Sequence, residues 1–214
     1  MFKKFNPKED VASNTIIKSS TQRMIRLKLT QQFPALSQPI YDPDCPPEEE
    51  PPPAEPSTAT DDADQKPTQT TLLESLWPKK ESLNLLKCRE HVSILTCKKV
   101  PLFFQHFDGP YFPTLKLLHQ YPMLLPHVQV DRGAIKFVLS GANIMCPGLT
   151  SPGARLPDDL PAQTPVAVHA EGKSSACAIG FTQKSTLDMR TVNKGVGVDN
   201  LHWLGDDLWI IQEI

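Results

Sequence analysis

The chain has 214 residues, 22 Lys/Arg against 24 Asp/Glu and 39% hydrophobic residues, enough for one or two domains with a real core. No apolar run approaches the roughly 18 residues a membrane helix needs, and the opening "MFKKFNPKED" carries charges where a signal peptide would have its apolar run. A membrane location and a secretory leader are therefore not expected; nor are disulfides, because the five cysteines are odd in number and include no CxxC pair.

Near the N-terminus, Ser19 and Gln22 have the spacing of a capping box ahead of "TQRMIRLKLTQQF". The helix this predicts puts Met24, Ile25, Leu27, Leu29 and Phe33 on an apolar face, leaves Arg23, Arg26 and Lys28 solvated, and stops at Pro34. From Ala35 to Thr70 the composition turns acidic and Pro-rich. Positions 42–66 alone hold nine carboxylates, one lysine and seven prolines. Such a tract cannot bury enough apolar surface to offset its ordering entropy, so residues 35–70 are expected to be disordered. Without positions 42–66 the balance becomes 21 Lys/Arg against 15 Asp/Glu, a mildly basic remainder suited to nucleic acid or to an acidic partner.

A second capping box, Thr71 with Glu74, restarts structure in "TLLESLW". Three strand-like runs follow, "LNLLKC", "HVSILTC" and "VPLFFQHF", and then a helix from about Thr114 bounded by Pro113 and Pro122. Asp131 can cap a helix in "DRGAIKFVLSG" whose buried side is Ile135, Val138 and Leu139, with Gly141 permitting a left-handed end. "ANIMCPGLTSPGA" reads as an exposed strand–turn in which Gly148 and Gly153 let the backbone approach a bulky ligand. "PVAVHAEG" and "ACAIGFTQ" alternate as antiparallel strands, Ser185 caps a short helix closed by Gly195, and "HWLGDDLWIIQ" suggests a closing hairpin. The pattern is α+β.

Catalytic constellations are scarce. Cys88, His91 and Cys97 have a loose zinc-like spacing without a fourth ligand in register. Asp158–Asp159 and Asp206–Asp207 sit among Pro or Gly, and adjacent side chains on a strand point apart. Gly195 and Gly197 fail the dinucleotide fingerprint because Asn200 stands where its last glycine would be, and no P-loop Gly-Lys-Ser/Thr follows "SGANIMCPG". No enzyme, metal or cofactor is expected. Stretch 130–154 offers backbone amides, Asn143, Ser151 and Lys136, which suits a phosphate–sugar backbone or an unpaired nucleotide end; a structural corner with no ligand is the alternative.

"VDRGAIKFVLSGANIMCPGL" resembles the signature of PUA domains, small RNA-binding pseudobarrels. Together with "MFKKF", "QFP" at 32–34, "PKK" at 78–80, "PTLKLLHQYP" at 113–122 and "VNKG" at 192–195, it resembles the malignant-T-cell-amplified-sequence family, whose fungal members are translation-machinery proteins. That family usually passes from "QFP" to "PKK" through a short helical stretch, where this chain carries its acidic segment. The resemblance implies an N-terminal α/β domain over residues 1–126 and a PUA pseudobarrel over 127–214. It implies a non-enzymatic, cytoplasmic role on the small ribosomal subunit, paired with the density-regulated protein and its SUI1-type domain. It further implies tRNA and mRNA release after termination, reinitiation, and a PUA domain that holds the acceptor end of tRNA. Carried onto this sequence, that contact falls on Lys136, Gly141, Ala142, Asn143, Met145, Pro147 and Gly148. The alternative from another class is an RNA-modification protein or subunit, since PUA domains are often appended to such enzymes.

Overall fold

The structure is a computed structural model and describes residues 1–40 and 70–214. The N-terminal half is a five-stranded meander, β1 (Val11–Ile16), β2 (Leu83–Cys88), β3 (Val92–Cys97), β4 (Val100–His106) and β5 (Tyr111–Pro113), each strand antiparallel to the one before it. The three apolar runs read from sequence are β2, β3 and β4. Before β1 comes a single turn, α1 (Pro7–Asp10). The long α2 (Ser19–Gln32) covers the sheet with Ile25 and Leu29 buried. After α3 (Leu72–Leu76) and the sheet comes α4 (Leu115–Gln120), capped by the Thr114 hydroxyl, which accepts from the Leu117 N–H.

Several local expectations are corrected. Lys18, not Ser19, is the N-cap of α2 and makes no side-chain cap; Gln22 reaches back instead, its Nε2 donating to the Ile17 carbonyl at 2.7 Å. Met24 and Leu27 are more than half exposed, because only the Ile25–Leu29–Phe33 stripe faces the sheet. Arg26 is not left in water. Its guanidinium stacks 3.8 Å from the Trp77 ring and donates to the Trp77 carbonyl, where it joins α2 to the end of α3. The expected disorder begins too early: Pro34–Ser37 is a 3-10 turn, and Leu36 is fully buried in the core. Pro39 pairs with Thr71 and the Ile40 N–H reaches the Thr70 carbonyl, so the chain is ordered to Ile40 and again from Thr70. The remainder of the acidic tract, 41–69, lies outside the described residues.

The second sheet has the order β6–β8–β9–β10–β7, built from β6 (His127–Val130), β7 (Ile144–Met145), β8 (Pro165–Ala170), β9 (Ala176–Thr182) and β10 (Val196–Trp203). β6 pairs with β8 in parallel and the other pairs are antiparallel. Around it lie α5 (Ile135–Leu139), α6 (Pro147–Thr150), α7 (Thr186–Thr191) and α8 (Asp207–Ile210). β8 and β9 are apolar on both faces for a reason. Ala167 and Ile179 belong to the core of the first sheet, while Val166, Val168 and Ala178 belong to a second core under α5 and α6. The N-terminal segment ties the two units together. Phe2 packs edge-on to Phe104 and His202, the Asp207 N–H donates to the Phe2 carbonyl, and the Phe5 N–H donates to the Asp207 carboxylate.

Here too the structure departs from local reading. Asp131 caps a turn rather than a helix, its Oδ1 accepting from the Ala134 N–H at 2.7 Å; α5 begins only at Ile135 and turns Val138 in and Leu139 out. "ANIMCPGLTSPGA" is not simply an exposed strand–turn, because Pro147 opens α6 and Leu149 is buried beneath it. The closing hairpin is absent. β10 ends at Trp203, and the Asp206 carboxylate caps α8 by accepting from the Trp209 N–H at 2.9 Å. Ser185 does cap α7, accepting from the Asp188 N–H.

Candidate functional site

Between α5, α6, β7 and the turn at 131–134 opens a cavity of roughly 420 Å³. The same short stretch that reads as a peculiar corner in sequence encloses it. Gly141 ends α5 at φ +83°, and a Cβ there would lie 2.5 Å from the Trp203 ring, so only glycine allows this reversal so close to the tryptophan. Asn200, on β10 and almost fully buried, bolts the reversal in place. Its Nδ2 donates to the carbonyls of Val138 and Ala142, and its N–H donates to the Asn143 Oδ1. Sequence reading met Asn200 only as a departure from a dinucleotide motif. Its structural role depends on a pairing 57 residues distant along the chain.

Five of the seven expected contact residues line the cavity: Ala142, Asn143, Met145, Pro147 and Gly148. The other two do not. Gly141 faces Trp203, and Lys136 lies exposed on the outside of α5 with its Nζ 4.9 Å from the Phe137 ring. The two glycines of this stretch also have a packing role. A Cβ on Gly148 would meet the Ala134 side chain at 3.1 Å, and one on Gly153 would meet the Glu171 carboxylate at 2.5 Å, so both make room for neighbouring protein atoms. Asn143 commits its carbonyl to β10, which leaves its amide NH2 as the donor it can offer at the rim.

The walls are mostly apolar, and two large side chains stand half-exposed at the mouth, Phe137 at 55% and Met145 at 49%. Phe137 is not among the contact residues expected from the sequence, yet it lines the cleft. The signal was present, since it falls outside the Ile135–Val138 stripe and an aromatic there has to face outward. Asp131 is the one titratable residue in the lining among the described residues, and its Oδ1 is taken by the Ala134 N–H. Such a cleft fits a flat group with an acceptor on its edge, the form of an unstacked nucleobase.

Elsewhere the candidate constellations separate. β2 pairs Leu83 with Cys97, which puts Cys88 and Cys97 at opposite ends of the hairpin. Among the described residues no group of three or more His, Cys, Asp or Glu is placed to hold a metal ion, and no helix is long and apolar enough to cross a membrane. Burial pushes the Cys177 and Cys88 thiols up to about 11. Asp206 meets His202 in a buried 2.7 Å contact, but it also accepts from the backbone of Trp203 and Trp209, as a structural cap between the two sheets.

A five-stranded meander joined to a second sheet with this cleft defines a two-part PUA protein. The Pre-PUA-like domain matches residues 5–50 and 63–122, and the "elF2D, PUA domain" description matches 125–207. The chain is 43% identical over 209 residues to malignant T-cell-amplified sequence 1-A of Xenopus laevis, covering 98% of this chain and 97% of the relative. It is also 43% identical over 209 residues, with the same coverage, to translation machinery-associated protein 20 of Schizosaccharomyces pombe. A hypothetical protein from Pyrococcus horikoshii shares the fold, with a TM-score of 0.62, 19% identity and coverage of 94% of this chain and 99% of that one. The chain belongs to the malignant T-cell-amplified sequence family.

Proposed function

We propose that this chain is a cytoplasmic translation factor without turnover of its own, which binds the small ribosomal subunit and holds the acceptor end of tRNA. In this reading it acts with the density-regulated protein in releasing tRNA and mRNA after termination and in reinitiation. The observation that supports the reading best is the apolar cleft with Phe137 and Met145 at its mouth, walled by Ala142, Asn143, Pro147 and Gly148. A terminal base stacks on Phe137, the Asn143 amide donates to its edge, and Lys136 supplies charge beside it. The family supports the setting, since the fission-yeast relative is named for the translation machinery.

Binding of tRNA by the purified protein tests this. Phe137→Ala is expected to weaken binding roughly tenfold, the loss of one stacked base, with an unchanged melting temperature. Lys136→Ala with Asn143→Ala is expected to weaken it further. Affinity unchanged in both variants overturns the assignment. Activity in tRNA release from small subunits is expected only when the density-regulated protein is added, and any covalent change in the RNA would restore an enzymatic reading.

A further inference from the structure

Edge strand β6 borders a second depression on the PUA unit, separate from the cleft. Its two halves, roughly 590 and 330 Å³, share Gln129, Arg155 and Ser174 and so form one groove. Its floor is fixed by backbone, because Gln129 and Arg155 exchange N–H···O bonds of 2.8 and 3.0 Å across the strand edge. Arg155 and Lys173 are exposed along it. Glu171 is the only carboxylate in the lining among the described residues, and it is already occupied. Its Oε2 accepts from the Arg132 backbone N–H at 3.0 Å, and its Oε1 lies 3.8 Å from the Arg132 guanidinium. The groove therefore presents uncompensated positive charge.

The far end of the groove is lined by a pair of histidines. His169 packs 4.5 Å from His127, and its Nε2 is buried with no partner. Burial, then His127 and His119, hold the His169 pKa below the usual range, so at neutral pH its ring is uncharged.

The groove also lies close to the cleft. Ser151 lines the cleft and Gly153 the groove, two residues apart along the chain and so at most ~7 Å. We propose that the groove is a phosphodiester subsite, in which Arg155 and Lys173 hold neighbouring backbone phosphates of the RNA whose unpaired end enters the cleft. The inference rests on the RNA-binding reading above and extends it from the terminal base to the strand behind it. Arginine and lysine suit phosphate, the first as a planar fork and the second as a point charge. Ser174 and His127 line the same wall.

Salt dependence separates the two sites. Dissociation constants for a tRNA with an intact 3′ end are measured across a range of KCl for the natural protein, for Arg155→Ala/Lys173→Ala and for Phe137→Ala. Loss of two phosphate contacts is expected to weaken binding roughly tenfold at low salt. It should also flatten the plot of log affinity against log salt by about 1.5, at 0.7–0.9 per phosphate. Phe137→Ala should weaken binding with the slope unchanged. A groove variant with natural affinity and slope, beside a weakened Phe137→Ala, overturns the subsite and leaves the cleft standing. If both bind like the natural protein, the RNA-binding reading itself fails. A groove variant that loses labelled polyglutamate yet binds tRNA normally would make the occupant an acidic protein and would also overturn the subsite. Should the double alanine variant not fold, Arg155→Gln/Lys173→Gln gives the same comparison.

Discussion

The two sheets are equal in strand number and opposite in construction. In the first, strands follow one another in order β1 to β5, and large side chains such as Phe103, Phe104, Phe112 and Leu86 fill its core. In the second, β7 returns to the far edge beside β10, β6 runs parallel to β8, and β8 and β9 bury small side chains such as Val166, Ala167, Val168, Ala176 and Ala178. In a sequential meander each strand pairs with its neighbour in the chain, and no helix has to cross the sheet to join two edges. The non-sequential sheet makes α5 and α6 span from one edge to the other, and the cleft opens between them. The difference gives the first unit the larger core side chains and the second unit the candidate cleft.

The largest effect is expected where the two meet. Phe104 is fully buried and touches Phe2, Phe112 and His202, so Phe104→Ala should cost about 3–5 kcal/mol. Denaturation followed by Trp77, in the first unit, and Trp203, in the second, should show both shifting together. A shift confined to the first sheet would show that the units unfold independently.

Gly141→Ala should cost about 2–4 kcal/mol, from the left-handed backbone and the overlap with Trp203. Because Asn200 holds the same reversal, tRNA affinity should fall in this variant as well. A variant with natural stability would mean that Trp203 shifts to make room.

Acid should act on the second sheet through His169. Its folded-state pKa is lowered, so the unfolded chain takes up its proton first, and stability present above about 6.5 is lost as pH falls below it. His169→Met removes that loss. Between pH 7 and 5 the variant should lose less stability than the natural protein, while equal losses would place the acid-sensitive group elsewhere.

The smallest effect is expected from removing positions 42–66. The Ile40 N–H and the Thr70 carbonyl are 3.0 Å apart, so the flanking chain already meets and a short connection can join it. The melting temperature should change by no more than about one degree, and tRNA affinity should rise as nine competing carboxylates are lost. A large destabilisation would show that the tract packs against the fold.

The amino-acid sequence by itself determined the elements whose signals are local. The runs "LNLLKC", "HVSILTC" and "VPLFFQHF", the Thr71, Thr114 and Ser185 caps, and the left-handed Gly141 all follow from neighbours within a few residues. Its motifs also carried the family. What only tertiary structure decided were contacts distant along the chain. Pairing with Thr71 and burial of Leu36 kept residues 35–40 ordered, and Trp77 drew Arg26 out of water. Capping by Asp206 turned an expected hairpin into α8. The site divided in the same way. Ala142, Asn143, Met145, Pro147 and Gly148 lie within seven residues of one another and were legible together, while Asn200 came into view only through β10. The groove depends on Arg155 and Lys173 being brought to one edge by the parallel pairing of β6 with β8, and no local pattern encodes that register.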